Sequence, residues 1–176
     1  VDVVIQSTAP IKASDINYTI NAGAGNDFIR GGQGSDDLNG GLGNDTFVLL
    51  GSLSEAEAAA YAAAYQAGGN TAAAVLGATL AGVENKVLSS STLFASRSET
   101  EVNTGDKINS AGTDAGDTIH AFGTADLSKI NDGLALNVGT LVVHSSITLT
   151  YAQVNALNAV VFDGNMPHAV TLKADA

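Results

Sequence analysis

The chain has 176 residues, 18 acidic against 7 basic side chains, a formal net charge of −11 and no cysteine. So few Lys and Arg argue against nucleic acid and anionic membranes as partners, and an acidic surface suits cation binding. Without cysteine there is no disulfide framework, and no apolar run is long enough to span a bilayer. The hydrophobic fraction is 45% but aromatics are only 5%, which predicts a core of Ala, Val, Leu and Ile. The chain opens at Val1 with neither a methionine nor a signal peptide, and reads as a piece of a longer protein.

In chain order, VDVVI (1–5) and INYTI (16–20) are strand-like. Three nonapeptides follow back to back: AGAGNDFIR (22–30), GGQGSDDLN (31–39) and GGLGNDTFV (40–48). Gly23, Gly32 and Gly41 share one register, and Gly25, Gly34 and Gly43 a second. Asp27, Asp36 and Asp45 share a third, and Ile29, Leu38 and Phe47 a fourth. This is the G-G-x-G-x-D-x-U-x pattern, with U a large apolar residue. Six residues form a turn in which glycine takes positive φ without steric cost, so backbone carbonyls can converge. Ca²⁺ wants six to eight oxygens, and carbonyls with a carboxylate supply them. The remaining x-U-x is a short strand with U pointing inward. Two nonapeptides make one coil, so Asp27 and Asp45, 18 residues apart, should face each other across one ion. A flexible glycine-rich linker would not keep the aspartates and apolar residues at period nine.

Residues 22–48 resemble the RTX (repeats-in-toxin) family. The resemblance implies a parallel β-roll with each ion held between a turn and the next turn on the same side. It implies one complete site, made of the Gly23 and Gly25 carbonyls with Asp27, and the Gly40 and Leu42 carbonyls with Asp45. Gly32, Gly34 and Asp36 form the opposite turn. At strict period the downstream partner of Asp36 falls at Ser54, which is not a carboxylate, and its upstream partner at Tyr18. That side is therefore expected to be a half-site needing improvised ligands such as Asp15 or Glu55. Ala22 replaces the first glycine of the first repeat, a mild change because alanine still offers its carbonyl. The resemblance also implies a bacterial, secreted protein exported by a type I pathway.

Beyond the repeats, FVLL (47–50) continues the last strand to Gly51. Ser54 with Glu57 fits a capping box, and an alanine run then predicts a helix through Tyr61 and Tyr65. Gly68-Gly69 stops it, and a second helix ends at Gly82. The tyrosine pair reads as self-packing rather than as a binding stripe. GVENKVL (82–88) is one further strand, followed by a Ser/Thr-rich loop. GDKI (105–108) and GDTIHAFGTADLSKI (116–130) repeat the registers in degenerate form, and the second resembles the segment after the last repeat of secreted RTX proteins. Asp106, Asp117 and Asp126 could bind metal, but without the flanking glycine pattern turn and capping roles are favoured. LVVHSSITLT, AVVF and HAVTLKA read as strands, with YAQVNALN a short helix like those in large bacterial surface proteins.

The expected fold is mainly β: a short parallel β-roll (1–50), an inserted helical hairpin with its following strand (51–88), and a C-terminal β-rich, solenoid- or sandwich-like segment (89–176). No H-E-x-x-H, G-x-S-x-G or cysteine nucleophile occurs, so no enzyme is expected. His120, His144 and His168 read as structural histidines rather than a zinc site. The function expected is a calcium-dependent structural or adhesion module of a secreted, extracellular cell-surface protein. Its partners would be Ca²⁺, neighbouring domains of a longer chain, and extracellular glycan, peptide or S-layer neighbours. Two alternatives stand beside it: an export and folding module of a secreted RTX hydrolase, and a peptide- or glycan-binding domain of an RTX adhesin.

Overall fold

The structure, a computed structural model, describes residues 3–5, 17–31, 34–52, 54–56, 59, 102, 106–109, 116–130, 138–162 and 168–175. Twelve short strands are β1 (Val3–Ile5), β2 (Thr19–Ala24), β3 (Phe28–Arg30), β4 (Asp37–Leu42), β5 (Thr46–Leu50), β6 (Lys107–Asn109), β7 (Thr118–Phe122), β8 (Ala125–Asp126), β9 (Thr140–Val143), β10 (Ile147–Thr150), β11 (Ala159–Phe162) and β12 (Val170–Lys173). Every strand pair among them is parallel. The odd strands form one sheet of six in the order β1-β3-β5-β7-β9-β11, and the even strands form two sheets of three, β2-β4-β6 and β8-β10-β12. The chain thus crosses between layers at each turn, which makes a β-solenoid. The six-stranded sheet runs from the repeats into the C-terminal third, so that third is a solenoid rather than a sandwich.

The coil length of 18 follows from the pairing: Ile20 lies beside Leu38, Phe28 beside Thr46 and Ile29 beside Phe47. The inward residues Ile20, Ile29, Leu38, Phe47 and Leu49 join Ile108, Ile119, Leu141, Val143, Ile147 and Leu149 in one buried core. At roughly 25 cal/mol per Å² these side chains supply the main drive for coiling. The alternate residues of β3, β5 and β7 are also buried: Phe28, Arg30, Val48, Leu50, His120 and Phe122. The six-stranded sheet is therefore buried on both faces at its centre, which explains why FVLL is apolar throughout rather than alternating.

Beyond β5 the next described strand is β6. Gly51 donates to the Phe122 carbonyl at 2.8 Å, and Ser52 forms an antiparallel bridge with Thr124. A Cβ at Gly51 would run into the Thr124 carbonyl, so the expected stop at Gly51 marks a close backbone crossing. Glu55, Ala56 and Ala59 are helical; the rest of the expected hairpin, with Tyr61 and Tyr65, and the 82–88 strand lie outside the described residues. Asp15 and Gly32 lie outside them too.

In the last third, helix α1 (Tyr151–Ala156) sits where YAQVNALN predicts it. Thr150 and Gln153 form a capping box: Thr150 Oγ1 accepts from the Gln153 amide at 3.1 Å, and Gln153 Oε1 from the Thr150 amide at 2.9 Å. Gln153 is buried, and its Nε2 donates to the Leu127 carbonyl at 2.7 Å, tying α1 to the coil below. Gln153→Ala is expected to lose about 1–2 kcal/mol, read from the urea midpoint at unchanged m-value. Lys173 reaches Asp126 Oδ2 at 2.8 Å and Ser128 Oγ at 3.1 Å, clipping β12 to β8 across β10. Asp126 thus serves an ion pair and a hydrogen bond from Ser128. The last coil differs from the rest. Phe162 and Leu172 pair in register with buried Val143 and Leu149 but are 46% and 45% exposed.

Candidate calcium turns

Two stacks of turns carry the repeat aspartates. On one side, Asp27, Asp45 and Asp117 lie in successive coils and are buried. The Asp27 amide donates to Asp45 Oδ1 at 2.9 Å, and the Asp45 amide to Asp117 Oδ1 at 2.7 Å. On the other, the Tyr18 amide donates to Asp36 Oδ1 and the Asp36 amide to Asp106 Oδ1, both at 2.9 Å. Each carboxylate therefore fixes the backbone of the coil before it. Exposed asparagines add a parallel ladder: Asn26 Oδ1 accepts from the Asn44 amide at 2.9 Å, and Asn17 Oδ1 from Ser35 at 2.8 Å.

Asp27 and Asp45 are thus stacked as the 18-residue spacing predicts, and Tyr18 stands upstream of Asp36 as expected. The position downstream of Asp36 corrects the sequence reading. Strict period places Ser54 there, but the structure places Asp106, because the chain leaves register after β5 and re-enters it at β6. A carboxylate occupies that position after all. Glu55 is exposed in the departing helix.

The glycines divide into two kinds. Gly23, Gly25, Gly34, Gly41 and Gly43 have φ between 102° and 128°, a region L side chains rarely enter. Gly31 and Gly40, at the first position of their repeats, do not. A Cβ at Gly40 would collide with Asp45 Oδ2, and one at Gly31 with Asp36 Oδ2. Those two glycines clear room for a carboxylate folded back against its own turn. At Gly31 and Gly40 the glycine is therefore steric in origin. The first repeat carries Ala22 at the same position, half-buried. Across coils, a Cβ at Gly41 would land on the Gly23 carbonyl oxygen and one at Gly43 on that of Gly25, so these carbonyls face the coil above. The Leu42 carbonyl accepts from the Gly25 amide at 2.8 Å, while its side chain is exposed.

Such a donor set fits Ca²⁺. It is all oxygen, it combines carbonyls with carboxylates, and an added Cβ would collide at Gly40, Gly41 and Gly43. Carboxylates about 4.8 Å apart, one coil spacing, repel by roughly 3 kcal/mol at an effective dielectric constant of about 20, and a divalent cation reverses that sign. The Gly23 and Gly25 carbonyls with Asp27, and the Gly40 and Leu42 carbonyls with Asp45, would hold the ion; Gly34 and Asp36 lie in the opposite turn. Among the described residues no group of three or more His, Cys, Asp or Glu side chains converges on a metal position.

Two of the three histidines meet. His120 Nδ1 and His144 Nε2 are 2.9 Å apart in the interior. Phe122 stacks on His144 with ring centres 4.0 Å apart. Burial, reinforced by the nearby His144, lowers the pKa of His120 to about 3. His168 lies within hydrogen-bond distance of the Val143 carbonyl, at 3.0 Å. Their spacing in sequence gives no sign of the pairing, which depends on a β7–β9 register seen only in the fold.

Parallel coils, positive-φ glycine turns and stacked aspartates together define a calcium-binding β-roll. Residues 19–47 match the family model of the RTX calcium-binding nonapeptide repeat (4 copies), and this segment is an RTX repeat that binds Ca²⁺. No curated protein and no solved structure matches the chain.

Proposed function

We propose that this calcium-binding roll is a non-catalytic structural and adhesion module of a secreted cell-surface protein, set into its fold by extracellular Ca²⁺. The observation that carries this is the stack of buried aspartates on glycine turns, an arrangement whose charge repulsion a divalent cation relieves. Ordering each residue costs about 1–2 kcal/mol of backbone entropy, so a small loss of cation stabilisation unmakes the turns. At 100 times Kd one site adds about 2.7 kcal/mol, and extracellular calcium modules have Kd near 10⁻⁴–10⁻³ M. Such a module stays unfolded where Ca²⁺ is scarce and folds after export. Among the described residues no helix is long and apolar enough to cross a membrane. The exposed Val161, Phe162, Val170 and Leu172 of the last coil supply an apolar surface for neighbouring domains of a longer chain.

The test is far-UV circular dichroism and calorimetry through a Ca²⁺ titration after EDTA, on wild type and on Asp27→Ala/Asp45→Ala. β-structure and a cooperative melt should appear with Ca²⁺ in wild type, and the double variant should lose the response. A chain equally folded and equally stable in EDTA would refute the folding role.

A further inference from the structure

We propose that Asp106 and Asp117, which lie beyond the matched repeats, are positioning residues that set the calcium affinity of the turns they contact. The inference rests on the calcium reading of those turns and adds to it. Both hydrogen bonds copy the one inside the repeats. The Asp27 amide bonds to Asp45 across 18 residues, while Asp36 bonds to Asp106 across 70 and Asp45 to Asp117 across 72. The same contact is thus rebuilt across a much longer stretch of chain.

Strand pairing supports the copy. β6 pairs with β4 and β7 with β5, so the returning segments stack directly on the last repeats. The Lys107 amide donates to the Asp36 carbonyl at 2.7 Å, and the Thr118 amide to the Asp45 carbonyl at 2.8 Å. Each of these two aspartates is therefore gripped at its amide and its carbonyl by the returning chain. That grip fixes the backbone torsions at Asp36 and Asp45, and with them the direction of each carboxylate. Groups that orient a metal ligand in this way typically change affinity by about 10–100-fold when removed. Linkage makes the effect reciprocal: an ion bound between the coils of Asp27 and Asp45 favours docking of the returning segment as much as docking favours the ion.

The side chains act through an acceptor oxygen that takes the backbone amide of Asp36 or Asp45. Asparagine keeps the Oδ1 acceptor and drops the charge, while alanine drops both. Calorimetric Ca²⁺ titration of the full chain would compare wild type, Asp117→Asn and Asp117→Ala, with urea unfolding in EDTA run alongside. Asp117→Asn should hold Kd within about threefold, and Asp117→Ala should weaken it about 10–100-fold. If asparagine weakens binding as much as alanine does, the charge is what matters and the inference falls. It also falls if alanine lowers stability in EDTA and in Ca²⁺ equally, with Kd unchanged. Should the alanine variant not fold, Asp117→Asn decides alone. Near-native Kd, with Ca²⁺ still slowing hydrogen exchange at the Asp45 amide, supports positioning, and a tenfold loss overturns it. A wild-type chain that binds no Ca²⁺ removes the calcium reading itself, a result distinct from all of these.

Discussion

Gly41→Ala is expected to destabilise the calcium-bound chain by about 3–5 kcal/mol, and Gly23→Ala, one coil below in the same register, by only about 1–2 kcal/mol. Both glycines hold positive φ, 102° and 108°, so both substitutions carry the backbone strain of an L residue in that region. They differ in what the new methyl meets. At Gly23 there is nothing within 4 Å, whereas at Gly41 it would sit on the Gly23 carbonyl oxygen. That oxygen is backbone in a paired strand and cannot swing aside as a side chain would. Moving it breaks the Gly23–Gly41 register and turns a candidate calcium ligand away from the ion. Gly41→Ala should therefore also raise the Ca²⁺ concentration needed for folding, and Gly23→Ala should move it far less. Urea unfolding in saturating Ca²⁺ and a dichroism-detected Ca²⁺ titration measure the two quantities. Equal effects of the two substitutions would show that φ strain alone sets the cost and that the close approach of the coils is not there.

That pair also shows what the sequence could reveal. Period nine in Gly, Asp and apolar residues identifies the turns, the inward strands and the Asp27–Asp45 stack, because each position answers to a local rule. Conformational freedom alone does not explain the first-position glycines: Gly31 and Gly40 are needed for clearance around Asp36 and Asp45, which appears only once the carboxylates are placed. The return to register was half visible. GDKI and GDTI preserve an aspartate before a strand, but without the full glycine pattern nothing marks which repeat each would meet after some fifty intervening residues. The strict count therefore placed Ser54 where Asp106 belongs. Burial of the sheet's second face was hidden for another reason. Arg30 and His120 occupy the x positions flanking an inward apolar residue, where alternation predicts solvent.

Acid should unfold the chain in part through one of those hidden residues, His120. His120 is buried with its Nδ1 2.9 Å from His144 Nε2, and a proton added to it carries a charge that burial penalises. The folded pKa, about 3, lies below the ordinary value of 6.5, so the unfolded chain binds the proton first as pH falls. The stabilisation is complete above about pH 6.5 and is lost at up to about 1.4 kcal/mol per pH unit below it, until the folded form titrates as well. By pH 4.5 the loss approaches 3 kcal/mol on this reckoning. Carboxylates that release Ca²⁺ over the same range would add to the measured slope, so the quantity to follow is a difference. Stability of wild type minus that of His120→Gln, measured by urea unfolding at saturating Ca²⁺ from pH 7.5 to 4.5, cancels terms common to both. This difference should be flat above pH 7 and fall steadily below 6.5. A difference that stays constant to pH 4.5 would mean that His120 takes up its proton as readily folded as unfolded, and that the pair with His144 is open to water. A difference that grows with acid would reverse the sign altogether, requiring a carboxylate beside the ring that holds the imidazolium in the folded state.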